Sequence, residues 1–238
     1  VKEMVILPMK RPDLFTRLRL PPKGLLLFGP PGTGKTLIGK AIAHECKATF
    51  FSLSKSSLIT KWQGDGEQLV KTLFAVAHAH SPSVVFIDEV DSMLTQRTSD
   101  ESETSRGLKT EFLVQLEGVG NERRGSVLVI GATNLPWELD DAARRRFVKK
   151  VYVPLPTQPA RETLLRNLLA KNQINRNSLT DENMNQLSHA TNGFSGADMK
   201  NLITDAALGP VRELGDKDET TKVEEVPPIS YEHFCSSL

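Results

Sequence analysis

Apolar residues recur along the first part of the chain in two alternating ways. Short runs at residues 25–28, 49–53, 84–87 and 127–130, with a briefer one at 151–153, read as buried strands. Between them lie stretches with helical spacing. Residues 35–46 form one. Residues 67–79 form a second, with Leu69, Val70, Leu73, Phe74 and Ala77 on one face, and residues 105–116 form a third around Leu108, Phe112, Leu113 and Leu116. Strands alternating with helices predict an α/β fold, a parallel sheet with helices on both faces. The pattern changes at Pro154-Leu155-Pro156. Residues 161–170 then place Leu164, Leu165, Leu168 and Leu169 on a helix, and no strand pattern follows. The expected organisation is an α/β domain over residues 1–154 and a smaller helical domain over residues 155–238. The polar, charged residues 215–225 read as a loop, and there is no internal repeat.

Composition narrows the partners. The 238 residues are 39% hydrophobic and 25% charged, as in globular proteins, and suffice for one or two domains. Thirty basic against 29 acidic residues leave a formal charge of +1, so no global field demands nucleic acid or an anionic membrane. No apolar run approaches the roughly 20 residues needed to span a bilayer, and no secretory signal is read. Cys46 and Cys235 stand far apart, which gives neither a zinc pattern nor a disulfide framework and points to a reducing compartment. His78 and His80, two apart on a helix, point to different faces and do not pair as metal ligands. The chain opens in mid-pattern at Val1-Lys2-Glu3 and is expected to be a piece of a longer protein.

Chemistry enters after the first strand. Gly29-Pro30-Pro31-Gly32-Thr33-Gly34-Lys35-Thr36 fits G-x-x-x-x-G-K-[ST] between a strand and a helix, the context that motif requires. Glycines let the backbone curl so that successive N–H groups face a phosphate. The helix that follows points its positive end at the same place. Lys35 is then placed to reach the β- and γ-oxygens of ATP, and Thr36 to offer a hydroxyl to Mg²⁺. The third strand ends in Asp88-Glu89, at the carboxyl edge where open α/β sheets bind ligands. Asp88 would hold Mg²⁺ or its water, and Glu89 would orient and polarise the attacking water.

Together with Ile87-Asp88-Glu89 and Gly131-Ala132-Thr133-Asn134, the phosphate loop resembles that of the AAA ATPases, and the likeness runs from Pro8 to Phe234. Lys109-Thr110-Glu111-Phe112-Leu113, Gly193-Phe194-Ser195-Gly196-Ala197-Asp198 and Leu208-Gly209-Pro210-Val211-Arg212 are similar to the branch of severing and vacuolar-sorting enzymes, nearest to fidgetin-like proteins and spastin. The resemblance implies a P-loop NTPase fold of the AAA type, with a three-layer parallel sheet followed by a small helical lid. It implies that Asn134 senses the γ-phosphate or the lytic water, and that Arg145 and Arg146 reach the neighbouring subunit's nucleotide. Leu37 joins the nucleotide contacts, and Gly196 and Ala197 lie against adenine and ribose, with Ser195 or Asp198 capping the helix that follows. Lys61, Trp62 and Gln63 fall on the first pore loop, where Trp62 is either a buried anchor or a ring that grips substrate. Arg97 and Arg106 fall on the second. The chain departs from its relatives at Gln63, usually apolar, and at Gly107, where a second Arg is usual.

The expected function is an ATP-hydrolysing motor, active as a hexameric ring, that threads or extracts protein and severs or remodels microtubules in the cytoplasm and cytoskeleton. The short polar stretch after Leu214 leaves no room for the extra β-domain of the vacuolar-sorting ATPase. The alternatives are disassembly of ESCRT filaments, remodelling of a recombination factor in the nucleus, and a nucleotide-gated scaffold without turnover. No direct binding to nucleic acid is expected. The fragment alone is expected to be monomeric or weakly associating, with poor ATPase activity.

Overall fold

The computed structural model describes residues 2–11, 14–15, 22–53, 66–95, 103–118, 126–171, 179–214 and 226–238. The chain divides into two compact units, Val1–Gly29 with Lys35–Val153, and Pro30–Gly34 with Pro154–Leu238.

In the first unit the strands β1 (Gly24–Phe28), β2 (Thr49–Leu53), β3 (Ser83–Ile87), β4 (Val127–Thr133) and β5 (Lys149–Tyr152) form one sheet in the order β2-β3-β4-β1-β5. Every pairing is parallel. The helical elements are a wide turn at Lys2–Ile6, then α1 (Leu7–Lys10), α2 (Lys35–Glu45), α3 (Gly66–Ala79), α4 (Val90–Met93), α5 (Glu103–Gly118) and α6 (Asp141–Arg146). Successive strand side chains point to opposite faces. Leu26, Val85, Ile87, Val127 and Val129 accordingly pack with Phe74 of α3, Phe112 and Leu116 of α5 and Ala143 of α6. Leu25, Leu27, Val84, Phe86, Leu128 and Ile130 pack on the other face with Ile42 and Ala43 of α2 and with Val5. This is the sandwich of helices about a parallel sheet that the alternation of patterns predicts.

Two strands differ from their apolar runs by more than one residue, for physical reasons. β4 continues through Gly131-Ala132-Thr133, because these small residues pair with Leu26, Leu27 and Phe28 in the middle of the sheet. β5 begins at Lys149, because it is an edge strand whose lysines are exposed, and this dilutes its hydrophobic signal.

The second unit contains α7 (Gln158–Lys171), α8 (Asp181–Ala190), α9 (Gly196–Ala207), α10 (Gly209–Leu214) and α11 (Tyr231–Ser237). Leu165, Leu169, Met184, Leu187, Met199, Leu202, Ile203 and Phe234 form its core. Thr180, Ser195 and Ser230 each open a helix with a reciprocal capping box, and such a cap contributes about 1 kcal/mol. Arg161 is only 4% exposed. Its guanidinium donates to the Ser188 carbonyl at 2.7 and 3.1 Å and to the Pro156 carbonyl at 2.8 Å, so it ties the start of the unit to the carboxyl end of α8. A cation there is also favoured by the helix dipole.

Candidate functional site

The site is assembled by strand order. β3, β4 and β1 are neighbours, and all run the same way, so their carboxyl ends share one edge. Register pairs Ile87 with Gly131 and Phe28 with Thr133. The segments beginning at Gly29, Asp88 and Asn134 therefore emerge side by side, about 4.8 Å apart per strand step, although they are distant in sequence.

Gly29, Gly32 and Gly34 have φ of 147°, 72° and 87°, a backbone that side-chain-bearing residues rarely adopt. The curl is also enforced by crowding. A Cβ on Gly29 would lie 2.3 Å from the Val153 carbonyl oxygen, and one on Gly32 would lie 2.5 Å from Ser195 Oγ. Thr33 Oγ1 donates to the Pro30 carbonyl at 3.0 Å and braces the loop, and α2 begins immediately after it at Lys35. Lys35 is 8% exposed, and its Nζ donates to the Gly29 carbonyl at 2.9 Å, so the ammonium is folded under the loop. Burial lowers its pKa from the usual lysine value, and the charge of Asp88 partly opposes that shift.

Thr36 Oγ1 donates to Asp88 Oδ2 at 3.0 Å, and the other carboxylate oxygen accepts the N–H of Glu89 at 3.1 Å. Glu89 has φ 49° and ψ 48°, a left-handed conformation uncommon outside glycine, which turns the chain from β3 into α4 within two residues. Its side chain is exposed. Asn134 is also exposed, directly after β4. These groups fit a polyphosphate and its metal. An ammonium, the positive end of α2 and a curled glycine backbone are suited to anionic oxygens, and a hydroxyl beside a carboxylate is a hard-oxygen pair suited to Mg²⁺.

The remaining sequence candidates divide. Leu37 is 70% exposed in the first turn of α2. Arg145 is exposed on α6, and its side chain makes no hydrogen bond or ion pair among the described residues. Arg146 is held by Glu117 at 2.6 Å and by the Ala142 carbonyl at 3.0 Å, and Arg144 pairs with Asp141 at 3.3 Å. Gly196 and Ala197 lie in the second unit with the tip of the phosphate loop, where the Ala197 N–H donates to the Gly32 carbonyl at 3.2 Å. Ser195 and Asp198 both cap α9, each accepting the other's N–H. Arg106 is exposed on α5, while Lys61, Trp62, Gln63 and Arg97 lie outside the described residues. Sequence reasoning missed Asp91 and Gly39, and it quoted Thr133 without giving it a task. The available signal was a polar residue, Thr133, ending an otherwise apolar strand.

The chain matches two family descriptions. Residues 25–155 match the ATPase family associated with various cellular activities (AAA), and residues 181–225 match the AAA+ lid domain. Fidgetin-like protein 1 of Homo sapiens is 54% identical over 98% of this chain and 34% of its own length. Spastin of Dictyostelium discoideum is 54% identical over 99% of this chain and 36% of its own length. The chain thus spans little more than a third of these curated relatives. Among solved structures, the FIGL-1 AAA domain in complex with ADP has a TM-score of 0.90 at 50% identity, covering 99% of this chain and 77% of that one. A katanin structure concerned with self-assembly has a TM-score of 0.81 at 37% identity, covering 99% and 78%. A family match that takes in the parallel sheet from Leu25 onward and its phosphate loop, more than half of the sequence, places this chain in the AAA family of ATPases.

Proposed function

We propose that this chain is the hydrolytic domain of a ring-forming ATP motor that severs or remodels microtubules. The observation that carries the hydrolytic part is the pairing of Thr36 with Asp88 at the mouth of the phosphate loop, with Glu89 next in sequence. Lys35 and the α2 N-terminus bind the β- and γ-oxygens of ATP and orient its terminal phosphate. Mg²⁺ held by Thr36 and Asp88 would neutralise charge on those oxygens. Glu89 accepts a proton from the attacking water, and Asn134 holds that water or the γ-phosphate in line. Positioning and charge compensation supply most of the rate in such reactions.

Assembly rests on Arg145 and Arg146. An arginine donated in trans stabilises the charge of the transition state and is worth about 10³–10⁵ in rate. The exposure of Arg145 and the self-assembly of the katanin neighbour support this reading. Trp62 in the first pore loop, with Lys61 and Gln63 beside it, would grip an extended substrate, and Arg97 and Arg106 would line the second loop. Likeness to spastin and to the fidgetin-like proteins supports microtubules as the client and the cytoskeleton as the place of action. Among the described residues, no helix is long and apolar enough to cross a membrane.

The test uses the full-length protein with ATP and taxol-stabilised microtubules, viewed by microscopy, with phosphate release measured in parallel. Glu89→Gln is expected to bind ATP, release no phosphate and leave filaments intact. Filaments broken equally well by the variant would rule out the motor. Phosphate release without breakage would keep the ATPase and reject the client.

A further inference from the structure

Two polar side chains at the edge of the site take no part in the reaction derived above. Thr133 is the last residue of β4 and only 1% exposed. A hydroxyl so buried must be hydrogen-bonded, and it is bonded in both directions. Thr133 Oγ1 donates to Asp91 Oδ1 and accepts the N–H of Leu135 at 2.9 Å. The second bond closes a turn around Asn134, because a side-chain oxygen that accepts from the residue two positions on fixes the backbone between them. The first bond reaches α4, where Asp91 lies two residues after Glu89. One hydroxyl therefore joins the segment that presents Asn134 to the segment that presents Glu89.

Glu89 and Asn134 come from different strands, their side chains are exposed, and among the described residues no hydrogen bond joins them. The β3–β4 register sets the spacing of their strands, but no hydrogen bond between the two side chains sets the distance between them. The residues just after α4 are fastened as well. The Asp140 N–H donates to the Leu94 carbonyl at 2.9 Å, and Thr95 bridges to Leu139. The carboxyl end of α4 is thus tied to residues 139–140, and the Asp91–Thr133 bond connects its first turn to the β4 turn. The bond has an ionisable carboxylate as acceptor, which makes it stronger than a bond between neutral groups.

We propose that Asp91 and Thr133 are positioning residues that hold Glu89 and Asn134 in register on a single attacking water. The proposal rests on the hydrolytic reading above. Without the bond, each residue keeps its place on its own strand and nucleotide binding is retained, but the two no longer converge. A misplacement of about 1 Å costs about 10²-fold in rate.

The experiment is steady-state phosphate release by the full-length protein, with kcat and KM for ATP measured separately and the thermal midpoint recorded. Thr133→Val is expected to lower kcat about tenfold or more while KM stays near the parent value. Thr133→Ser, which keeps the hydroxyl, is expected to restore most of kcat. Asp91→Ala, which removes only the bond to Asp91, should lower kcat in the same way but by no more than Thr133→Val, which also frees the Leu135 N–H, and the double variant should be no worse than Thr133→Val. Should Thr133→Val fail to fold, Asp91→Ala carries the same expectations. An unaltered kcat in Thr133→Val beside an inactive Glu89→Gln overturns the positioning role. So does a loss that Thr133→Ser shares in full, or one that follows KM and the thermal midpoint. An active Glu89→Gln removes the hydrolytic reading itself, and the proposal falls with it.

Discussion

Gly39 lies in the middle of α2, the helix whose first residues are Lys35 and Thr36. On an isolated helix, Gly39→Ala would stabilise by about 0.8–1.0 kcal/mol, because glycine is a poor helix former. Here the packing reverses the sign. A Cβ at this position would stand 2.5 Å from Phe86 Cδ2 and 2.9 Å from Cε2. Phe86 has no exposed surface, and its ring lies against that of Phe50 with centroids 5.9 Å apart. The ring is closed in on the sheet and cannot swing clear, so either it strains or α2 lifts. Overpacking of this kind costs about 1–3 kcal/mol. Taking about 2 kcal/mol for the clash and about 1 for the propensity gain, Gly39→Ala should destabilise by about 1 kcal/mol.

The assay is urea unfolding of Gly39→Ala in the parent and in a Phe86→Leu background. Without the ring, the clash goes and the propensity remains, so the same substitution should become neutral or stabilising. The two effects are coupled through one contact, which a double-mutant cycle isolates. Because a lifted α2 carries Lys35 and Thr36 with it, ATP affinity should fall in the single variant and recover in the double one. Gly39→Ala raising the midpoint in the parent background would refute this account of the helix–sheet contact.

Other expectations are shorter. Arg161→Met should destabilise the second unit by about 1–3 kcal/mol, because the Pro156 carbonyl loses its side-chain donor and the Ser188 carbonyl keeps only the Thr191 hydroxyl at 3.3 Å, and an orphaned acceptor costs about that much; an unchanged midpoint in thermal unfolding would mean that water replaces the guanidinium. Asp198 is held below the usual aspartate value of 3.8 by the N–H and the hydroxyl of Ser195. Its folded pKa is depressed, so its contribution is complete above the unfolded value and lost as pH falls through the folded one. It is solvent-exposed and screened, so the effect is small, but Asp198→Asn should flatten the decline in stability below about pH 4, as measured by unfolding midpoints across that range.

Much of the fold was legible because both periodicities are strong. Phe74 and Phe112 each sit on an apolar stripe at helical spacing, and β3 is apolar from Val84 to Ile87 because both its faces are covered. What escaped was set by context. Lys149 and Lys150 belong to a strand only because they sit at the sheet edge, where side chains may stay in water. The phosphate loop could be read directly, since its glycines and lysine are constrained locally by one ligand chemistry. Asp91 and Thr133 could not be paired, because a bond between residues 42 apart exists only once β3 and β4 lie side by side. The same holds for the contact of Gly32 with Ala197.

The candidate site is also where the fold works against its own stability. Lys35 holds a charge that burial disfavours, and Glu89 sits in a backbone conformation that costs an ordinary residue about 1–2 kcal/mol. Local rules broken at one edge of an otherwise consistent structure mark function rather than folding. The cost at Glu89 can be measured apart from the chemistry. Glu89→Gln removes the charge and keeps the strain, while Glu89→Gly removes both. Glycine gives back about 0.5–1 kcal/mol through the greater freedom of the unfolded chain, so the net advantage of Gly over Gln should be about 0.5–1 kcal/mol. Both variants should fail to release phosphate, and the glycine variant should nonetheless unfold at the higher denaturant concentration. If glutamine proves the more stable of the two, the left-handed turn carries no strain, and the conformation of Glu89 is no guide to its role.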